Sequence, residues 1–169
     1  LNLVTDPFVG AALALEPKED DLLKGNFSSK ERHLIDATIV VRTVVMAIPM
    51  MLGALFIFSH TYSDLPKAWT MTLTTLAVFQ WLNGWNCRSE NKSIFEMNPF
   101  SNPALIAATG MVILLQLFAV YNPLMQKILH TTALSAGEWF FAVLISFSII
   151  AAEEIRKLAY RKWIVRTQI

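Results

Sequence analysis

An amide, a hydroxyl and a carboxylate stand close together at the start of the chain, in Asn2-Leu3-Val4-Thr5-Asp6. At a helical repeat of about 3.6 residues, positions i, i+3 and i+4 share one face, so Asn2, Thr5 and Asp6 converge at one height. All three offer hard oxygen atoms, which suit a hard cation. The residues around them, up to Glu16, are almost all apolar. A carboxylate inside such a segment costs roughly 2.5 to 3.5 kcal/mol on insertion into a bilayer, and residues of this kind mark ion or substrate paths. Pro7 drives the residue before it out of the α region. The pair Asp6-Pro7 therefore predicts a broken helix whose freed carbonyls sit beside the side-chain oxygens, as in discontinuous transporter helices. A second reading stands beside this one, with Asp6 as the N-cap of a helix that begins at Pro7. The two are compatible.

A further set of polar side chains, Gln80, Asn83 and Asn86, recurs every three positions on one helical face, with Trp81 and Trp85 on another. Amides inside a membrane span hydrogen-bond to neighbouring helices, at roughly 0.6 to 2 kcal/mol each. Helix packing and ion contact are both open for this face. The single cysteine, Cys87, excludes an intrachain disulfide and a cysteine-based zinc site.

The elements that must position these residues follow from composition. Of 169 residues, 54% are hydrophobic and only 16% charged, and the apolar ones come in long blocks. That is the pattern of a polytopic membrane protein. The expected fold is an all-α membrane bundle of about five transmembrane helices in one domain. Its spans are placed at about 1–15, 38–59, 68–87, 104–121 and 138–155, the first broken near Asp6-Pro7. No initiator Met or signal peptide precedes an apolar segment that already includes residue 1, so the chain is expected to be a piece of a longer one, with its first helix truncated.

Between the spans, residues 16–36 and 88–103 are polar, and 156–169 form a basic tail. These three stretches hold eleven of the 14 Lys and Arg; the opposite side holds only Lys67 and Lys127, and Arg42 lies one turn inside a span, where it can snorkel. By the positive-inside rule the first side, with the C-terminus, is cytoplasmic. Tyr160 and Trp163 among the tail cations suit an amphipathic stretch on anionic lipid, which makes nucleic acid a poor partner. Glu153 and Glu154 fall at the cytoplasmic rim, where pairing with Arg156, Lys157 or a loop is expected.

Three motifs in register carry a family resemblance. Asn2-Leu3-Val4-Thr5-Asp6, followed by Ala11-Ala12-Leu13-Ala14-Leu15-Glu16-Pro17, resembles the sixth transmembrane helix of P-type cation-transporting ATPases, the calcium pumps in particular. Arg88-Ser89-Glu90-Asn91-Lys92-Ser93-Ile94-Phe95 looks like the loop after their eighth helix, especially in bacterial members, and Glu153-Glu154-Ile155-Arg156-Lys157 is similar to the end of their tenth. The resemblance implies the sixth to tenth helices of a pump that exports a cation, Ca²⁺ first among them, in a bacterial inner membrane, with the rest of the same pump as partner. It implies Asp6, Asn2 and Thr5 as ligands, and the asparagine at position 2 favours calcium pumps over sodium pumps. It also places Gln80 where two-site calcium pumps carry a glutamate, which resembles pumps that move one Ca²⁺ per cycle. Pro7 stands where the two-site pumps have glycine.

No Asp-Lys-Thr-Gly-Thr phosphorylation motif and no glycine-rich nucleotide loop occurs in these residues. ATP and Mg²⁺ would therefore act only in other domains of the parent. Two rival readings differ in class. One is an independent multi-pass assembly subunit whose polar residues serve only packing; the other is half of a secondary transporter, for which an internal repeat would be expected, and none is seen.

Overall fold

Prolines and short polar residues fix where the helices begin. Asp64 accepts the Lys67 backbone N–H at 3.2 Å with Pro66 in the first turn, and Asn102 accepts that of Leu105 ahead of Pro103. Asn122 caps the helix opening at Pro123 through the N–H groups of Leu124 and Met125, and Ser135 with Glu138 forms a capping box. Each cap satisfies backbone donors that a helix leaves unpaired, and proline in the first turn gives up no hydrogen bond.

The computed structural model describes residues 2–17 and 37–167, the side chains of 2–6, 37, 38 and 163–167 excepted. The helices are α1 (Asn2–Leu13), α2 (Ala37–Thr61), α3 (Leu65–Asn86), α4 (Pro103–Tyr121), α5 (Pro123–Leu129), α6 (Ala136–Ser146) and α7 (Ser148–Thr167). There is no strand among the described residues. The chain is an all-α membrane bundle.

Three helical stretches are long and apolar enough to cross a membrane, Ile39–Thr61, Pro103–Tyr121 and Ala136–Lys162. The helix α3, expected as a span, falls outside this set on composition alone. Its 22 residues reach about 33 Å at 1.5 Å per residue, enough for a hydrocarbon core. It is the hub of the bundle, packed against α1, α2, α4, α6 and α7, and Thr70, Thr74, Thr75 and Asn86 on it are buried. A helix wrapped in protein does not have to be apolar toward lipid. Two clusters hold it in place: Ile57, Met71, Val120 and Leu134 at one level, and Met46, Phe79 and Ile149 at another. At Gly53 of α2 a Cβ would come within 2.7 Å of the Phe79 ring, so α2 crosses α3 at van der Waals distance only because that residue is glycine.

Four details depart from expectation. The first helix is not broken at Asp6-Pro7: α1 runs without interruption from Asn2 to Leu13 with Pro7 inside it. Proline removes one bond, to the Leu3 carbonyl, and membrane bundles tolerate such a loss. The expected turn after Asn122-Pro123 contains the short α5, which ends at His130 in the left-handed conformation (φ 54°). The last span comprises α6 and α7 with a single residue, Phe147, between them. There the Ser146 hydroxyl donates to the Ala142 carbonyl at 2.8 Å and lies 3.2 Å from that of Thr75, a pattern that bends helices.

The fourth concerns the tail, where the expected pairing of Arg156 with Glu153 is found and other cations also turn inward. The tail continues α7 to Thr167, and several of its cations turn into the protein. Lys157 is buried, Arg156 bonds Glu153 and the Glu90 carbonyl, and Arg161 meets Glu96 and the Asn91 carbonyl. Arg42 likewise does more than snorkel: its Nε lies 3.3 Å from Glu153 and its Nη2 donates to the Asn86 carbonyl at 3.0 Å.

Candidate cation site

The first helix lies in the angle between α3 and α4, and two contacts fix its height. Val9 presses on Gly84 so closely that a Cβ at position 84 would collide with the valine methyl. Further along, Glu16 beyond the end of α1 meets Arg88 beyond the end of α3 at 2.7 Å. Moving from 9 to 16 on one chain segment thus parallels moving from 84 to 88 on the other. The two helices run in the same direction, and one turn before Val9 the backbone at residues 5 and 6 is level with Gln80, one turn before Gly84.

Asn2, Thr5 and Asp6 belong to α1, but their side chains lie outside the described residues. Gln80 is half-buried. With Asn83, Gly84, Trp81 and Cys87 it lines a cavity of about 300 Å³ whose other wall is Val9, Gly10, Leu13 and Met50. Gly10 leaves open space on the α1 side, whereas the space beside Gly84 is taken by Val9. No group of three or more His, Cys, Asp or Glu suited to a metal occurs among the described residues, so a cation here would rely on neutral oxygens and on what α1 supplies.

The amide face of α3 divides into two parts. Asn86 is fully buried and packs toward α7: its Nδ2 donates to the Ile149 carbonyl at 3.3 Å, its backbone carbonyl accepts from Arg42, and its Oδ1 is buried with no hydrogen-bond partner. Gln80 and Asn83 instead face the cavity beside α1, and the Asn83 Oδ1 is buried with no hydrogen-bond partner. Trp85, on the other face, donates from Nε1 to Thr109 Oγ1 of α4 at 3.1 Å. Gln116, the strongly polar residue of α4, donates to Thr74 Oγ1 at 3.0 Å and serves packing.

At the mouth of this groove the electrostatics are those of a closed node. Burial raises the Glu16 carboxyl, but hydrogen bonds from Arg88 and Asn102 outweigh it and hold the group below the ordinary carboxylate range. A second node joins the loop after α3 to α7. Glu154 accepts the Ile94 N–H at 3.0 Å, Glu153 receives both Arg42 and Arg156, and Glu96 receives Arg161 on both oxygens, at 2.7 and 3.1 Å. Pairing of the two rim glutamates with a loop and with Arg156 was legible in the sequence; Arg88, Glu16 and Asn102 were not singled out. The available signal was a carboxylate directly after one apolar run and an arginine directly after another, on the same side of the bundle.

Residues 1–159 match the family described as "Cation transporting ATPase, C-terminus". The chain is 32% identical over 151 residues to the calcium-transporting ATPase of Bacillus subtilis, covering 85% of this chain and 16% of that protein. It is 29% identical over 166 residues to calcium-transporting ATPase 1 of Saccharomyces cerevisiae, covering 96% and 18%. Against human calcium-transporting ATPase type 2C member 1 it is 28% identical over 162 residues, covering 94% and 18%. It spans less than a fifth of the length of each of these relatives. The match covers α1 to α6, the first part of α7 and the loop that joins both charge nodes, and on that ground the chain belongs to the family of cation-transporting ATPase C-terminal regions.

Proposed function

We propose that this chain is the sixth-to-tenth-helix part of the transport domain of a P-type pump that exports a cation, Ca²⁺ first, from the cytoplasm. Asp6, Asn2 and Thr5 of α1 serve as oxygen ligands, and Gln80 of α3 adds a neutral amide oxygen. The observation that carries this reading is the α1–α3 register, in which residues 5 and 6 stand level with Gln80 above a cavity lined by Gln80 and Asn83. One carboxylate and a few neutral oxygens fall short of the six to eight ligands Ca²⁺ takes. The shell is completed by helices elsewhere in the pump, and ATP and Mg²⁺ act in its other domains. Calcium-transporting relatives support Ca²⁺ as the ion.

In this reading α1 carries the ion-binding oxygens and moves, while α2 to α7 form the scaffold. The spans cross as placed from the sequence, with the loops 16–36 and 88–103 and the C-terminal tail in the cytoplasm. The membrane is the bacterial inner membrane, with anionic lipid meeting Lys162, which is exposed, and the cations beyond it.

The experiment is ATP-driven uptake of radioactive Ca²⁺ into inverted vesicles that contain the full-length parent, wild type beside Asp6→Asn at equal expression. Loss of uptake in the variant, with phosphorylation by ATP no longer responsive to Ca²⁺, supports the ligand role. Unchanged uptake reduces Asp6 to a helix residue of no special function.

A further inference from the structure

The end of α1 is held by more than one bond. Arg88 is almost wholly buried as a side chain, with 1% of it exposed, and nearly all its donors are used. Its Nε and Nη2 reach Glu16 Oε1 at 2.9 and 2.7 Å. Its Nη1 and Nη2 reach the Asn98 carbonyl at 3.2 Å each, and Nη2 also reaches Ser101 Oγ at 2.6 Å. The guanidinium lies 5.5 Å from the centre of the Trp85 ring. Asn102 joins the same node from α4. Its Nδ2 donates to the Ala12 carbonyl at 3.0 Å and to Glu16 Oε2 at 2.7 Å, while its Oδ1 caps α4 at Leu105. Three chain segments, the ends of α1 and α3 and the start of α4, are tied at one carboxylate.

Such a node does something that apolar packing cannot. Val9 against Gly84 sets where the two helices meet, but it is a single apolar contact with no directional bond. A guanidinium with a fork of donors and an amide bonded at both ends fix position and direction. The loop between Arg88 and Asn102 is stiffened by two capped 3₁₀ turns, Ile94–Glu96 and Pro99–Ser101. It is fastened at its far side to α7 through Glu154, Arg156 and Arg161. The loop therefore connects the end of the ligand-bearing helix to the last helix of the bundle.

We infer that Glu16, Arg88 and Asn102 form a latch that sets the axial position of α1 and thereby the cation affinity of the oxygens two to three turns above it. The inference rests on the proposed transport role. The three are positioning residues and touch no ion. With the latch closed, residues 5 and 6 stay level with Gln80; with it open, α1 slides or turns and the shell is assembled less often, so apparent affinity falls while the maximal response at saturating cation is kept.

The test is Ca²⁺-dependent phosphoenzyme formation by the full-length pump in native vesicles, titrated with Ca²⁺, for wild type, Asp6→Asn, Glu16→Gln, Arg88→Gln and Asn102→Asp. Asn102→Asp is the diagnostic variant. It keeps an oxygen to cap α4, replaces the donor to Ala12 and Glu16 by a second carboxylate, and so opens the latch without fraying α4. The expected result is a rise in half-saturating Ca²⁺ of about 5-fold or more for Asn102→Asp and Arg88→Gln, with near-normal maximal phosphoenzyme. A smaller rise is expected for Glu16→Gln, which retains an acceptor for Arg88. Lower maxima with unchanged half-saturation would mark the three as structural ties only and overturn the inference, as would unchanged titrations throughout. The transport reading fails separately: in that case Asp6→Asn titrates like wild type, or the wild type shows no response to Ca²⁺.

Discussion

Replacing Glu153 by alanine is the perturbation with the largest expected effect on the bundle. The carboxylate is fully buried on α7. It takes Arg156 Nε at 2.7 Å and Nη2 at 2.9 Å, and Arg42 Nε stands 3.3 Å away. Lys157 beside it is also buried, with Nζ 3.5 Å from the Asn86 carbonyl. At an effective dielectric near 20, an ion pair at such separations is worth roughly 4 to 6 kcal/mol before the cost of leaving water is counted. Deleting the carboxylate leaves three cations facing one another in a buried space, and removing one partner of a buried pair costs roughly 3 to 5 kcal/mol. Arg42 keeps its bond to the Asn86 carbonyl at 3.0 Å and Arg156 its bond to that of Glu90 at 2.9 Å, which sets the expectation at about 3 kcal/mol, the lower end of that range. For a domain of this size that corresponds to roughly 6 to 12 °C in the unfolding midpoint. The assay is the fraction of detergent-solubilised protein that stays monodisperse after heating, read by size exclusion for wild type, Glu153→Ala and Glu153→Gln, with Gln falling between the other two. A midpoint for Glu153→Ala within about 1 °C of wild type would show that Glu153 does not neutralise the cluster, and the account of how α2, α3 and α7 are joined would fall with it.

Two further outcomes follow from named contacts. Gly84→Val should drive α1 off α3, because even a Cβ at that position collides with Val9; the expected cost is about 1 to 3 kcal/mol, and an unshifted unfolding midpoint would refute the register. The hydrogen bond from Arg161, with the Ser93 backbone N–H next, brings the Glu96 carboxyl from 4.5 down to about 2. Its folded pKa is depressed, so the stabilisation is present above pH 4.5 and fades as pH falls through the folded value; limited proteolysis of the loop 88–102 should stay slow down to about pH 4 and quicken between there and about pH 2, whereas a rise in cleavage already above pH 4.5 would show that this pair does not hold the loop.

The start of α4 was legible because its signal is local. Asn102-Pro103 announces a cap and a first turn with no reference to the rest of the chain, whereas the same signal at Asn122-Pro123 was read as a turn and opens α5. The polar turn between residues 88 and 103 was legible for the same reason, and so was the pairing of the rim glutamates, since Arg156 lies one turn from Glu153 on the same helix. Arg42 was read as a snorkelling anchor because it lies one turn inside a span; its partner Glu153 reaches it only once α2 and α7 pack side by side. Pro7 was read as a break, since the rule for the residue before proline is local, whereas the continuity of α1 is settled by the bundle around it.

Composition and spacing alone determined that the chain is an all-α membrane bundle, and the helical period puts positions 2, 5 and 6 on one face. These are properties of short windows, in which hydropathy and helical period carry the information. Tertiary structure alone decided that the polar helix α3 occupies the centre, that Asn86 packs toward α7 while Gln80 and Asn83 line a cavity, and that Glu16, Arg88 and Asn102 meet. Each of these depends on which faces of distant helices come together. No window of sequence contains both sides of a contact made only when the bundle closes.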